Sequence, residues 1–133
     1  MDLPQPKITF FPDGADECPL VQISGTDFQT SRELYHAIRG MRDRMAGSFG
    51  IHEVPGFENC TDPKLYLEIS ETSVGVQRIP DRNDFTCKLS YDGWIHVEDY
   101  LAPFCHREEA DSGFQWLDET SDISLLYSPS GGW

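Results

Sequence analysis

Positive charge is scarce in this sequence: ten Lys and Arg stand against 23 Asp and Glu in 133 residues, a formal net charge of -13. A folded body with that surplus repels the phosphates of nucleic acid and anionic lipid and attracts cationic protein. Direct DNA or RNA binding and membrane-surface binding therefore fall outside the expected functions. Long apolar runs are also missing, and nothing approaches the roughly 18 residues that a membrane span needs. The opening Met1-Asp2-Leu3-Pro4-Gln5-Pro6 has neither a basic start nor an apolar stretch, so no secretion signal is read and a cytoplasmic location is expected. Cysteine is limited to Cys18, Cys60, Cys87 and Cys105 with no C-x-x-C pair, which predicts buried free thiols in a reducing compartment. Asn59-Cys60-Thr61 matches a glycosylation sequon and, without a secretion signal, is read as chance.

Catalytic motifs are lacking too. A nucleophile elbow needs G-x-S-x-G and a phosphate loop needs spaced glycines before Lys and Ser or Thr; neither occurs, and Gly131-Gly132 opens no helix. His96-Val97-Glu98 followed by Pro103-Phe104-Cys105 approaches a zinc-deaminase signature, but the second cysteine of P-C-x-x-C is absent. Cys87, His96, Cys105 and His106 could be drawn as a looser metal site, yet adjacent residues such as Cys105 and His106 tend to point apart. Ordinary buried thiols and exposed histidines are the preferred reading. His36 reads as a surface or boundary residue of a helix, and His52 beside Glu53 has no partner in the sequence that makes it a general acid or base. No catalytic residue, metal or cofactor is expected.

What the chain does have is material for a core: 38% hydrophobic and 12% aromatic residues, too much for a disordered polyanion. A chain of this length buries roughly 70% of the surface its unfolded form exposes, enough for one core, so a single domain is expected. Lys7-Ile8-Thr9-Phe10-Phe11 and Leu20-Val21-Gln22-Ile23 read as neighbouring strands. Thr30-Ser31-Arg32-Glu33 fits a capping box, and Leu34, Ile38, Met41 and Met45 follow at helical spacing; Arg42 and Arg44 fall in the last turn and Gly47 reads as the stop. Residues 47–63 lack a sustained period and read as a long loop with at most a short helical turn. Leu65-Tyr66-Leu67-Glu68-Ile69 and Val74 to Ile79 alternate across a short polar link, which predicts an antiparallel hairpin. Phe85 to Tyr91 has apolar odd positions and reads as another strand. Asp92-Gly93 fits either a tight turn or a helix start capped by Asp92; the period of Trp94, Val97, Leu101 and Phe104 favours the helix. Phe114-Gln115-Trp116-Leu117 and Ile123 to Tyr127 complete the strands. No internal repeat is visible. Without βαβ alternation, the expected fold is α+β: an antiparallel sheet of about five to six strands with two helices packed on one face.

The acidity is concentrated toward one end. Residues 92–133 hold nine acids and one base, Arg107. These acids are Asp92, Glu98, Asp99, Glu108, Glu109, Asp111, Asp118, Glu119 and Asp122, interleaved with Trp94, Tyr100, Phe114 and Trp116. Two readings stand: aromatic anchors in a charged rim, as at a protein interface, or aromatics in the core with the acids as a solvated surface. On the first reading, the acids together with Trp94, Tyr100 and Trp116 bind a basic partner. Ile23-Ser24-Gly25, Asp27-Phe28 and Thr30 to Ile38 resemble the strand, turn and first helix of the barstar-type ribonuclease inhibitors over about residues 20–40. Beyond Gly40 the glycine and asparagine motif of that family and its following acidic helix are absent, so no inhibitory residue is carried over. In size, acidity and lack of catalytic motifs the chain also resembles the bacterial toxin immunity proteins. The resemblance implies an inhibitor that binds and neutralises a basic toxin domain, a nuclease among the candidates. The same charge would suit a nucleic-acid mimic that blocks a DNA-handling complex, and a small metal-dependent enzyme is the alternative from another class.

Overall fold

The computed structural model describes residues 5–105 and 113–133. Among them are eight strands, two α-helices and two short 3-10 turns, an α+β arrangement. In chain order these are β1 (Lys7–Phe11), β2 (Leu20–Ser24), α1 (Phe28–Arg44), β3 (Ser48–Gly50), β4 (Leu65–Ile69), β5 (Gly75–Arg78), β6 (Phe85–Leu89), α2 (Tyr91–Leu101), β7 (Gln115–Asp118) and β8 (Ser124–Tyr127). The 3-10 turns are Ile51–Glu53 and Ala102–Cys105.

The strands form two four-stranded mixed sheets, ordered β1-β2-β8-β7 and β3-β4-β6-β5. This corrects the expected single antiparallel sheet of fewer strands. In each sheet the two middle strands run parallel and each outer strand is antiparallel to its neighbour. The expected hairpin of β4 with β5 does not form, because β6 lies between them. Their polar link passes over the end of β6: Ser70 donates its N–H to the Leu89 carbonyl at 3.0 Å and Val74 donates to Lys88 at 2.9 Å. Alternation reports which face of a strand is buried, but not which strand is its neighbour.

The topology repeats although the sequence does not. Strand, strand, helix, strand, strand occurs as β1-β2-α1-β3-β4 and again as β5-β6-α2-β7-β8. Exchanging the two units maps one sheet onto the other with every parallel and antiparallel pairing kept. Each sheet thus takes two strands from each unit.

Both helices start on side-chain caps earlier than the sequence suggests, by three positions in α1 and two in α2. For α1 the cap is Asp27, which accepts from Thr30 N–H at 2.9 Å while Thr30 Oγ1 accepts from Asp27 N–H at 2.9 Å. The reciprocal pair is the same device as the box expected at residues 30–33. Leu34, Ile38 and Met41 face inward as predicted, but Met45 is 67% exposed and ends the helix in a left-handed conformation, ahead of Gly47. Ser90, not Asp92, caps α2, accepting from Gly93 N–H at 3.2 Å. Trp94, Val97, Leu101 and Phe104 then bury as the period required. The short β3 lies inside the segment read as a loop; three residues show no alternation to detect.

One hydrophobic cluster unites these elements. Val21, Ile23, Leu125 and Tyr127 enter it from the first sheet, Leu65, Leu67, Phe85 and Cys87 from the second, and the inward stripes of both helices from between them in sequence. The sheets also touch directly through an antiparallel bridge between Val76 and Ile123, beside which Ser121 Oγ donates to the Val76 carbonyl at 2.6 Å. This fixes the β7–β8 turn against the start of β5.

Candidate protein-binding site

The α2 helix and the β7 strand with its following turn enclose a groove of about 410 Å3. Asp92, His96 and Tyr100 line one wall, and Trp116, Asp118, Glu119 and Thr120 line the other. Residues four apart on a helix stack on one face, which is why Asp92, His96 and Tyr100 form a single stripe. Opposite, Leu117 sits at a register shift in β7 and is buried, while its neighbours Trp116 and Asp118 remain partly accessible. Asp118 orders the turn locally: Oδ1 accepts from Thr120 Oγ1 at 2.6 Å and Oδ2 from Thr120 N–H at 3.2 Å. Tyr100 is 40% exposed, and Phe114 stands edge-on to Trp116 with ring centroids 6.5 Å apart. Among the described residues, no Lys or Arg pairs with Asp92, Asp118 or Glu119.

Of the twelve residues assigned to partner binding from the sequence, five meet in this groove: Asp92, Tyr100, Trp116, Asp118 and Glu119. Asp99 and Asp122 are exposed outside it, and Glu108, Glu109 and Asp111 lie outside the described residues. Two assignments are corrected. Trp94 is fully buried and donates its indole N–H to the Glu68 carbonyl at 3.0 Å, so it anchors the core. Glu98 is also buried: its carboxylate accepts from Arg42 Nε and, at 3.0 Å, from Arg42 Nη2. Helical period carries both inward, since Trp94, Val97, Glu98 and Leu101 share the face that meets α1 and the sheet. His96 and Thr120 are groove residues that the sequence reading did not assign; the four-residue spacing from Asp92 through His96 to Tyr100 was the available signal for His96.

The other candidates are dispersed. Cys87 is in the core, where burial above all pushes its thiol well above its ordinary pKa. Cys105 is buried with its thiol 3.5 Å from the Leu101 carbonyl, His96 faces the groove, and His106 is outside the described residues. Among the described residues, no group of three or more His, Cys, Asp or Glu is placed to hold a metal ion. His52 stands edge-on to Tyr66 at 5.7 Å, with Nδ1 buried and lacking a partner, while Glu53 turns back to accept from Gly50 N–H at 3.3 Å. These neighbours give His52 no carboxylate to orient it as a base.

No family model, curated protein or solved structure matches this chain. The groove is therefore interpreted from its own chemistry. Carboxylates and an aromatic ring on each of the two walls suit a cationic side chain, through ion pairing and cation–π contact together.

Proposed function

We propose that this chain is an immunity or inhibitor protein that binds and neutralises a basic toxin domain, with the α2–β7 groove as its principal contact. The supporting observation is the convergence of Asp92 and Tyr100 from one element with Trp116, Asp118 and Glu119 from another, in a chain of net charge -13. Nuclease-type toxins are basic because they hold phosphates, and an acidic inhibitor would be steered toward them at rates up to about 10^8 to 10^9 per molar per second at low salt. The carboxylates would accelerate encounter, and the aromatic rings would slow departure. An α2–β7 groove covered by the partner would leave the fold unchanged, since its lining side chains are largely outside the core.

The test is calorimetric titration of the purified protein with the product of the gene adjacent to its own, at low and high ionic strength, after that product's charge has been read from its sequence. Tight binding that weakens steeply with salt, and loss of the partner's activity at equimolar inhibitor, are expected. Binding indifferent to salt, or no inhibition, would overturn the reading.

A further inference from the structure

A second depression of about 610 Å3 lies beside the groove and is lined by Met45, Ala46, Ile69, Glu71 and Tyr91; Ser90 and Asp92 line both, so the two depressions meet at the first turn of α2 as a two-part trough. Its two ends differ in chemistry. At one end is Met45, a large apolar side chain 67% exposed on a residue held at φ 54. That conformation is the left-handed cap that ends α1, with the Met45 N–H donating to the Arg42 carbonyl. At the other end Tyr100 and Trp116 stand among Asp92, Asp118 and Glu119.

The chain itself shows how such groups hold a guanidinium. Arg42 lies 5.6 Å from the Tyr91 ring centre while pairing with Glu98. Arg82 lies 5.7 Å from the Tyr66 ring centre, with Nη2 2.5 Å from Asp84 Oδ2. In both places a carboxylate and a tyrosine ring act on the same arginine, and at Arg42 a second carboxylate, Asp43, stands 3.3 Å away. The Tyr100–Trp116 end of the trough repeats that combination, and none of the residues lining it is Arg or Lys. An arginine can stack on a ring and form paired hydrogen bonds to a carboxylate at once, whereas the compact ammonium of lysine cannot.

We propose that the trough receives an extended segment of the cationic partner, with an arginine seated against Tyr100 and Trp116 and an apolar side chain seated on Met45 and Ile69. This rests on the inhibitor reading and adds the peptide chemistry that its site selects. The two anchors sit on opposite sides of Asp92, so the trough reads a basic and an apolar residue a few positions apart. Charge complementarity favours the arginine end, and burial of Met45 favours the other.

A displayed random-peptide library is selected against the full chain, and the enriched sequence is synthesised with a fluorescent label for anisotropy titration. Enriched peptides are expected to carry arginine and an aliphatic or aromatic residue a few positions apart. Replacing that arginine by lysine, or introducing Met45→Ser or Trp116→Ala into the protein, should weaken binding about fivefold, with thermal unfolding of the variants followed to show that they fold. Enrichment without arginine, no enrichment, or indifference to Met45→Ser in a folded variant overturns the proposal. Titration with the product of the adjacent gene separates the two levels of inference. Equal, salt-dependent affinity for wild type and Met45→Ser removes the trough and leaves the inhibitor reading intact, whereas no binding of that protein removes the inhibitor reading.

Discussion

Arg42 and Glu98 join the two helices side chain to side chain: both oxygens of the Glu98 carboxylate accept from the Arg42 guanidinium, which also donates to Tyr91 Oη at 3.3 Å. The pair lies at the contact between α1 and α2, with side chains 16% and 6% exposed. Removing one partner would strand a charge with little access to water. Glu98→Ala is therefore expected to lower unfolding free energy by about 3 kcal/mol, and Arg42→Met with Glu98→Leu to stay within about 1 kcal/mol of wild type. Urea unfolding of the single and double variants measures both. A negligible loss in Glu98→Ala would show that Arg42 finds enough compensation in Asp43, 3.3 Å away.

This pair also marks how far the sequence could be read. Glu98 is legible as part of a charged stretch, but its direction is set by the same period that buries Trp94 and Val97. Strand positions were visible wherever alternation ran for four or five residues, as in Phe85–Leu89, and invisible in the three residues of Ser48–Gly50. Pairing was legible only for Lys7–Phe11 with Leu20–Ser24, which read as neighbours and do pair. The parallel contact of Leu65–Ile69 with Phe85–Leu89 joins strands whose local patterns contain no information about a neighbour. The groove was half legible, because composition identified acids and aromatics, while only the folded chain brings Trp116 opposite Tyr100.

Burial pushes the Tyr127 hydroxyl up from its ordinary 10.0 to about 12, moderated by its hydrogen bond with Ser31. Between those two values the folded protein keeps a proton that the unfolded chain has lost, so stability falls as pH rises. The contribution is fully present below pH 10 and is lost through about pH 12, amounting to on the order of 2 kcal/mol. Burial raises Cys60 to about 11 and Cys87 in the same direction, so their share of alkaline loss begins lower, near the ordinary thiol value of 9.0. Tyr127→Phe should flatten the part of the stability curve above pH 10 while costing about 1 kcal/mol at neutral pH, because Ser31 Oγ loses its 2.5 Å partner. Denaturant titrations across the alkaline range give both quantities, and an unchanged slope in the variant would assign the loss to the thiols.

The four cysteines are free and differ in access: Cys60, Cys87 and Cys105 are buried, whereas Cys18 is half-buried in the β1–β2 connection. A disulfide reagent attacks an accessible thiolate, and burial disfavours that form. Native protein should therefore show one fast-reacting thiol that Cys18→Ser abolishes, with the other three reacting only after denaturant is added. Rapid labelling of Cys87 in native protein would mean that the second sheet opens far more readily than its packing implies.

Gly75 begins β5 at φ 88, and a Cβ there would lie 2.7 Å from the Ser121 backbone nitrogen. Neither the conformation nor the space suits a side chain, and the obstacle is backbone. Gly75→Ala is expected to destabilise by more than about 2 kcal/mol. Gly14, also at positive φ but with open space around it, should lose about 1 kcal/mol on the same substitution through backbone strain alone. Thermal unfolding of the two variants compares them directly, and equal losses would show that the contact of the β7–β8 turn with β5 yields easily.

The groove separates encounter from residence. Asp92→Asn with Glu119→Gln removes two charges while retaining side-chain volume, so it should slow association with a cationic partner severalfold at low salt and little at high salt. Trp116→Ala removes a ring without changing charge, so it should leave association nearly unchanged and speed dissociation about fivefold. Stopped-flow and surface-binding kinetics resolve the two rates. A charge variant that altered only dissociation would mean that the carboxylates act by direct pairing inside the groove, with the rest of the acidic surface supplying the steering.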